Sequence, residues 1–249
     1  MNLVQNLLFL YSKSMGGIKS AGAVSASFAR RPLINLKKVQ SSSRLELRPF
    51  CKSDARILAT IINETWGFSS SAKNQWVAEL FGYAYLYYNI AKSSSVIVAT
   101  LNGVPAGCLC IADLRQKNTN IFYLLKAFFK ILPILFCREL KSQVEGWKKF
   151  FKETKNQEKD LTHPYDAEIK LLITGKDFRG KGLGRKLLTT ACQYFDKNNI
   201  SSFFLHTDTE CSYKFYEAMG LTCLSRKIVD GSASDKFGNP WEIFIYGGN

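Results

Sequence analysis

The chain reads AEIKLLITGKDFRGKGLG over residues 167–184, and this stretch decides the fold. An apolar run typical of a buried strand leads into a glycine-rich, cationic loop, and the amphipathic sequence RKLLTTACQYF that follows predicts a helix. Five basic residues and one acid lie between Lys176 and Lys186. A helix N-terminus normally favours negative side chains, so this charge predicts a bound anion, with backbone N–H groups and the helix dipole holding phosphate.

Three phosphate-binding patterns compete for this loop, and their spacing separates them. A dinucleotide fingerprint needs a third glycine where the chain has Leu187, and a P-loop needs a hydroxyl residue where it has Gly182. The pattern [Q/R]-x-x-G-x-[G/A] is complete at Arg179, Gly182 and Gly184. It is the pyrophosphate-binding signature of the GNAT N-acetyltransferase superfamily, which this sequence resembles.

The resemblance continues on both sides of the loop. After the strand-like SFFLHTD, the run ECSYKFYEAMGL is similar to the F-Y-x-x-x-G-[FL] segment that follows the fifth strand in this family. Upstream, RLELRPF resembles the opening strand, residues 53–66 the first helix, and VIVATLNGVPAGCLCIA the central hairpin with its Asn-Gly turn. The resemblance covers roughly residues 44–249 and is specific over residues 167–221.

The resemblance implies an α/β (α+β) fold, in which a central mixed, mostly antiparallel sheet of about six to seven strands is flanked by helices. Residues 44–249 are then one GNAT domain, and residues 113–166 replace a short turn between the third and fourth strands. Within them, residues 121–137 are apolar except for Lys126 and Lys130 and are interrupted by Pro133. We expect a helical insertion over the acceptor side, or alternatively a surface that contacts a membrane or protein partner through residues 121–150.

The formal net charge of +14 is unusual, and seven positive charges precede the first acid, Glu46. Residues 1–43 are therefore predicted to be a basic, disordered extension, with organelle targeting as an alternative to a cytoplasmic location. The remaining charge suits a polyanionic ligand such as coenzyme A. Nucleic-acid binding is not expected, because the basic residues cluster in the extension and the loop without a recognition motif. Seven cysteines without C-x-x-C, and two histidines, predict a reducing compartment and no metal site.

The resemblance further implies an N-acetyltransferase that moves an acetyl group from acetyl-CoA, the acyl donor, to a primary amine of an unidentified small molecule or peptide. The alternative is a catalytically inactive GNAT-fold module that binds coenzyme A or a partner. The sequence leaves the choice between monomer and homodimer open.

By the same resemblance, the diphosphate lies over the loop amides and the pantetheine arm runs along the fourth strand, where a backbone N–H near Leu172 or Ile173 stabilises the oxyanion. Ser212 stands where related enzymes often have an asparagine that contacts pantetheine. The expected donor-binding residues are Leu172, Ile173, Thr174, Arg179, Gly180, Lys181, Gly182, Leu183, Gly184, Arg185 and Ser212.

Acyl transfer also needs a proton for the leaving thiolate and a base for an amine whose pKa is about 10.4. Tyr216 matches the family's general acid, and Glu168, at the start of the fourth strand, is the first choice for the base. The other candidates for proton transfer are Asp113, Asp208, Glu210 and His206. Cys211 is a weaker candidate for a nucleophile, since no base-bearing motif accompanies it.

Overall fold

The computed structural model describes residues 44–66, 75–116, 119–135, 141–229 and 240–248. The predicted basic extension, residues 1–43, lies outside the described residues, so its disorder and its boundary with the following domain stay predictions.

In the described part of the chain, seven strands form one sheet in the order β1-β2-β3-β4-β5-β7-β6. Among these strands β4 and β5 pair in parallel, and every other neighbouring pair is antiparallel. The predicted mixed, mostly antiparallel sheet is therefore confirmed. The strands are β1 Leu45–Pro49, β2 Ser95–Leu101, β3 Val104–Asp113, β4 Ala167–Thr174, β5 Phe203–Asp208, β6 Thr222–Ile228 and β7 Glu242–Gly248.

Helices flank the sheet, and two of them, α3 and α4, form the predicted insertion between β3 and β4. The helices are α1 Ala55–Thr65, α2 Gln75–Ala91, α3 Ile121–Leu135, α4 Lys141–Gln157, α5 Leu183–Lys197 and α6 Lys214–Ala218. Pro133 lies within α3, which continues through this residue to Leu135. Proline has no N–H group to donate to the carbonyl oxygen four residues earlier, so α3 lacks one backbone hydrogen bond there.

The hairpin of β2 and β3 turns at Asn102 and Gly103, as the Asn-Gly pair predicts. Their φ angles are 52° and 78°. A two-residue hairpin turn with both φ angles positive matches the right-handed twist of the strands.

Apolar side chains cover both faces of the sheet. Helix α5 packs on one face with residues of β3, β4 and β5, and helices α1 and α2 pack on the other. Helix α3 lies outside α2, where Ile134 packs against Val77 and Phe81. Cys108 and Cys110 are buried on the α1–α2 face, as expected for small apolar thiols.

Strand β4 leaves part of one edge open. Its register with β3 shifts between Cys110 and Ile111, which pair with Leu171 and Ile169, so that Lys170 forms a bulge. On the other side, β4 pairs with β5 only over residues 167–169. Residues 170–174 therefore extend beyond the last β5 pairing and present backbone groups at the edge that faces β5.

Candidate functional site

The loop between β4 and α5 takes a backbone conformation that requires glycine. Gly180 and Gly182 have φ angles of 72° and 77°, and a Cβ added at either position would have no other atom within 4 Å. A side chain is therefore disfavoured at both residues by the left-handed backbone and not by crowding. Gly182 is the residue that precedes the first turn of α5.

Backbone donors at the start of α5 face out of the loop. The first intrahelical hydrogen bond runs from the Lys186 amide to the Gly182 carbonyl oxygen at 3.0 Å. The amides of Leu183, Gly184 and Arg185 consequently have no acceptor within the helix. Together with the helix dipole, they make this end of α5 suited to an anion.

Positive side chains surround these amides. Arg179, Lys181, Arg185 and Lys186 are all exposed. Within the described ranges, none of the four forms an ion pair, whereas Lys176 pairs with Glu64 at an Nζ–Oε1 distance of 3.4 Å. The loop thus concentrates positive charge without an acidic partner, as the sequence predicts for a phosphate site.

The expected pantetheine residues lie on the open part of β4. Leu172, Ile173 and Thr174 pair with β3 on one side, and all three lie past the β5 pairing on the other. Ile173 is buried on the α1–α2 face, and the other two are half-buried. The strand edge leads directly into the glycine loop, so one extended ligand is able to contact both.

Tyr216 lies on the short helix α6, beside the end of β5. Its side chain is 8% exposed, and its ring contacts those of Phe215 and Tyr246. Burial, and then the nearby Cys211 and Asp208, raises the pKa of the Tyr216 phenol. The phenol therefore stays protonated at neutral pH, which is the state a proton donor needs.

Cys211 and Ser212 precede α6, and they differ from each other in their surroundings. Ser212 is exposed, and its carbonyl oxygen accepts a hydrogen bond from the Phe215 amide at 2.9 Å. Burial and then Asp208 raise the pKa of the Cys211 thiol well above its usual value. A thiol that resists ionisation is a poor nucleophile, so this environment does not favour an acylated Cys211.

Glu168 is held by a neighbouring cation. Lys170 Nζ lies 2.8 Å from each carboxylate oxygen of Glu168. Although burial alone lowers the pKa of Lys170, Glu168 raises it above the usual value. The two side chains therefore form an ion pair in which both carboxylate oxygens of Glu168 are occupied by Lys170.

Asp208 ends β5, and no cation among the described residues pairs with it. Its side chain is 3% exposed, and its Oδ1 accepts hydrogen bonds from the amides of Glu210 at 2.8 Å and Cys211 at 3.1 Å. Burial raises the pKa of Asp208 to about 6, although these hydrogen bonds act to lower it. A base is most effective when its pKa lies near the working pH, so the environment of Asp208 suits the role of a base.

Both carboxylates point to the same face of the sheet. Phe203 and Leu205 pack on the α5 face, so strand alternation places Asp208 on the α1–α2 face. Glu168 pairs with Phe204 and shares that face. Asp208 lies four residues further along β5 than Phe204, about 13 Å at the usual rise of a strand.

Tyr85, on α2, connects the two carboxylates electrostatically, and the sequence reasoning missed it. Its pKa is raised by burial and then by Cys211, Asp208 and Glu168. The aromatic spacing of α2 indicates a stripe at Tyr83 and Tyr87, but no local pattern shows which tyrosine turns toward the end of β5.

The remaining candidates lie elsewhere. Asp113 is held in a fork by Arg115, whose guanidinium also donates to the carbonyl oxygens of Asn198 and Asn199, at the opposite end of β3 from the loop. His206 Nε2 lies 3.3 Å from a carboxylate oxygen of Glu158. In the described part of the chain, no three His, Cys, Asp or Glu side chains gather as metal ligands would.

A family model matches part of this chain. Residues 134–221, which include the loop, Asp208 and Tyr216, match the model of the acetyltransferase (GNAT) family. This match confirms the resemblance found in the sequence. Among curated proteins, none has a matching sequence.

Several solved structures are similar to this chain at low sequence identity. Arylalkylamine N-acetyltransferase 2 from Aedes aegypti is 16% identical, with 82% of this chain and 98% of that chain covered at a TM-score of 0.52. An N-acetyltransferase from Staphylococcus aureus Mu50 is 13% identical, with 83% and 99% covered at 0.48. The protein yncA from Salmonella typhimurium, solved with its cofactor acetyl-CoA, is 15% identical, with 82% and 92% covered at 0.46.

Proposed function

We propose that this chain, whose residues 134–221 belong to the acetyltransferase (GNAT) family, transfers an acetyl group from acetyl-CoA to a primary amine. The observation that carries the proposal is the loop at residues 175–186. Left-handed glycines, helix amides without intrahelical acceptors and four cations without ion pairs in the described ranges meet there. This combination fits a diphosphate, whose charge and oxygens would satisfy all three features.

The acyl donor would lie across the loop and the open edge of β4. Its diphosphate would accept hydrogen bonds from the amides of Leu183, Gly184 and Arg185. Its pantetheine arm would follow residues 172–174, where β4 has passed its β5 pairing. A backbone N–H on that edge, near Leu172 or Ile173, would stabilise the oxyanion formed at the thioester carbonyl.

Proton removal from the amine is assigned to Asp208 in this proposal, in place of Glu168. The neutral amine nitrogen forms the C–N bond and the C–S bond breaks, while the proton lost from nitrogen passes to the Asp208 carboxylate, which then releases it to solvent. With a pKa of about 6, Asp208 is ionised at neutral pH and still basic enough to accept a proton. Glu168 would have to act while paired with Lys170.

Tyr216 would serve the departing thiolate. The phenol donates a hydrogen bond and then its proton to sulfur, and the phenolate recovers a proton from solvent. Burial, and then the neighbouring Cys211 and Asp208, raise the pKa of the phenol and keep it protonated before the step. The acceptor amine would approach from the α1–α2 face, which Asp208 shares.

Calorimetry with coenzyme A tests the binding part of the proposal. Gly182→Val forces a side chain onto a left-handed backbone and displaces the loop amides, so we expect affinity to fall about 10- to 100-fold, the worth of one or two hydrogen bonds to a charged group. Gly103→Val is the matched control, because Gly103 has a φ of 78° with nothing within 4 Å but lies in the β2–β3 turn. Equal affinities for the wild type and both variants would refute the site.

Thiol release from acetyl-CoA with a panel of amines tests the chemistry. We expect Tyr216→Phe to lower kcat about 100-fold while the affinity for acetyl-CoA is unchanged. Coenzyme A binding without turnover of any amine in the panel would instead favour the alternative, an inactive GNAT-fold module that binds coenzyme A.

A further inference from the structure

The outward side of α3 is apolar, which is the reverse of an ordinary surface helix. Four of its residues that face solvent are spaced by four, as one side of a helix requires: Ile121, Leu125, Phe129 and Pro133. Phe122 lies beside them and is 51% exposed, and Phe129 is 64% exposed. The opposite side packs against α2. A helix in the outer layer of a soluble domain normally places polar residues on the side that α3 fills with large apolar ones.

Lysines border this apolar surface. Lys126 Nζ lies 4.3 Å from the centre of the Phe122 ring, and Lys52 Nζ lies 5.9 Å from it. Lys130 Nζ lies 4.9 Å from the ring centre of Tyr83. The ammonium groups therefore lie beside the exposed Phe122 ring and the half-buried Tyr83 ring, where they would reach a negative charge that approaches the surface.

The surroundings of the surface are predominantly positive. No acid occurs between Asp113 and Glu139 in the sequence. On the packed helices, Arg56 and Glu79 carry opposite charges, and both are close enough to change the pKa of Tyr83. A second copy of this chain is a poor occupant, because a twofold contact through α3 would bring the same lysines together.

We propose that α3 lies flat on a bilayer that contains anionic phospholipid. Phe122, Leu125 and Phe129 would enter the boundary between headgroups and acyl chains, and Lys52, Lys126 and Lys130 would contact lipid phosphate or carboxylate groups. At 15 residues, α3 is about 22 Å long. Among the described residues, no helix is long and apolar enough to cross a membrane, and lying in the interface is the geometry that an apolar side bordered by lysines fits.

Co-sedimentation of the full chain with vesicles tests the proposal. We expect binding to mixed phosphatidylcholine–phosphatidylserine vesicles and weaker binding to phosphatidylcholine alone. The double variant Phe122→Ser/Phe129→Ser should lower the partition coefficient by at least about tenfold, since two rings no longer leave water. Ile228→Ser is the matched control, because Ile228 is 62% exposed but lies on β6, and it should bind as the wild type does.

A charge variant separates the lysines from the rings. Lys126→Glu/Lys130→Glu should weaken binding to the anionic vesicles by about fivefold for each lysine and leave binding to phosphatidylcholine nearly unchanged. Lys197→Glu, an exposed lysine at the end of α5, is the control. Melting temperatures of all variants should match the wild type, because the changed side chains face solvent or lie half-buried at the edge of the surface.

Three results would overturn the proposal. Wild-type binding that both double variants retain would assign vesicle binding to another part of the chain, such as the basic residues 1–43. Concentration-dependent self-association that Phe122→Ser/Phe129→Ser abolishes, without vesicle binding, would make the surface a contact between copies. Binding to polyglutamate but not to vesicles would identify an acidic protein partner.

Discussion

Two buried carboxylates lie on the same face of the sheet and differ in what surrounds them. Glu168, at the start of β4, is 7% exposed and has both oxygens 2.8 Å from Lys170 Nζ. Asp208, at the end of β5, is 3% exposed and accepts hydrogen bonds from two backbone amides. Burial raises the pKa of Asp208 to about 6, although its hydrogen bonds with the two amides act to lower it.

The difference shows that burial alone does not produce a catalytic base. A buried acid paired with a lysine is a structural ion pair, because both charges are satisfied by each other. A buried acid without a cation keeps a higher affinity for protons, which is what removing a proton from an amine requires. We therefore expect Glu168 to contribute to the stability of the fold and Asp208 to contribute to proton removal.

The largest expected effect is on turnover. Asp208→Asn preserves the size of the side chain and an oxygen for the Glu210 and Cys211 amides but removes the base, so we expect kcat to fall about 100-fold or more. Steady-state thiol release from acetyl-CoA with an accepted amine measures it, and calorimetry should show unchanged affinity for coenzyme A.

Glu168→Gln is the matched control for Asp208→Asn, and it should lower kcat by much less. The opposite ranking, with the glutamine variant inactive and the asparagine variant near wild type, would return the base to Glu168. In that case Lys170 would have to release the carboxylate when the amine binds.

The second prediction concerns stability. Lys170→Met leaves the Glu168 carboxylate buried without its cation, so we expect the free energy of unfolding to fall by about 3 kcal/mol. Adding Glu168→Gln to Lys170→Met removes the charge and should restore most of that loss. Urea denaturation of the two variants and the wild type measures both values, and equal stability of the wild type and the single variant would show that solvent already screens the pair.

Several features of the fold and site follow from local sequence. The Asn102-Gly103 turn, the glycine loop and the start of α5 each depend on residues close together in the chain, so the sequence predicts them. The difference between the surroundings of Glu168 and those of Asp208 depends on how elements distant in the sequence pack together. Glu168 can be placed at the start of a strand by its sequence, but its pairing with Lys170 depends on the bulge in β4.

The sequence of α3 likewise does not show which side of the helix is exposed. Its apolar composition predicts a helix that is largely buried, and the sequence leaves a membrane or partner surface as an alternative. Which side is covered depends on packing against Val77 and Phe81 of α2. No pattern within residues 121–135 shows that the side bearing Phe122 and Phe129 is the exposed one.

The smallest expected effect is a change of stability with pH. The pKa of Asp208 is about 6 in the folded protein, against an ordinary value of 3.8. Because the folded state binds this proton more tightly than the unfolded state, folding is favoured as the pH falls. Between pH 7 and pH 5, Asp208 should add about 1 kcal/mol to the free energy of unfolding. The difference between wild type and Asp208→Asn in urea denaturation at the two pH values isolates this contribution from the other titrating groups.

Because of Asp208, lowering the pH should therefore increase the stability of the fold and decrease kcat. Below pH 6 the protonated Asp208 stabilises the fold but no longer accepts a proton, so kcat should fall as the same group titrates. The difference in the free energy of unfolding between the wild type and Asp208→Asn should change from pH 7 to pH 5. A constant difference would mean that Asp208 has an ordinary pKa. The contrast with Glu168 would then rest on the Lys170 ion pair alone.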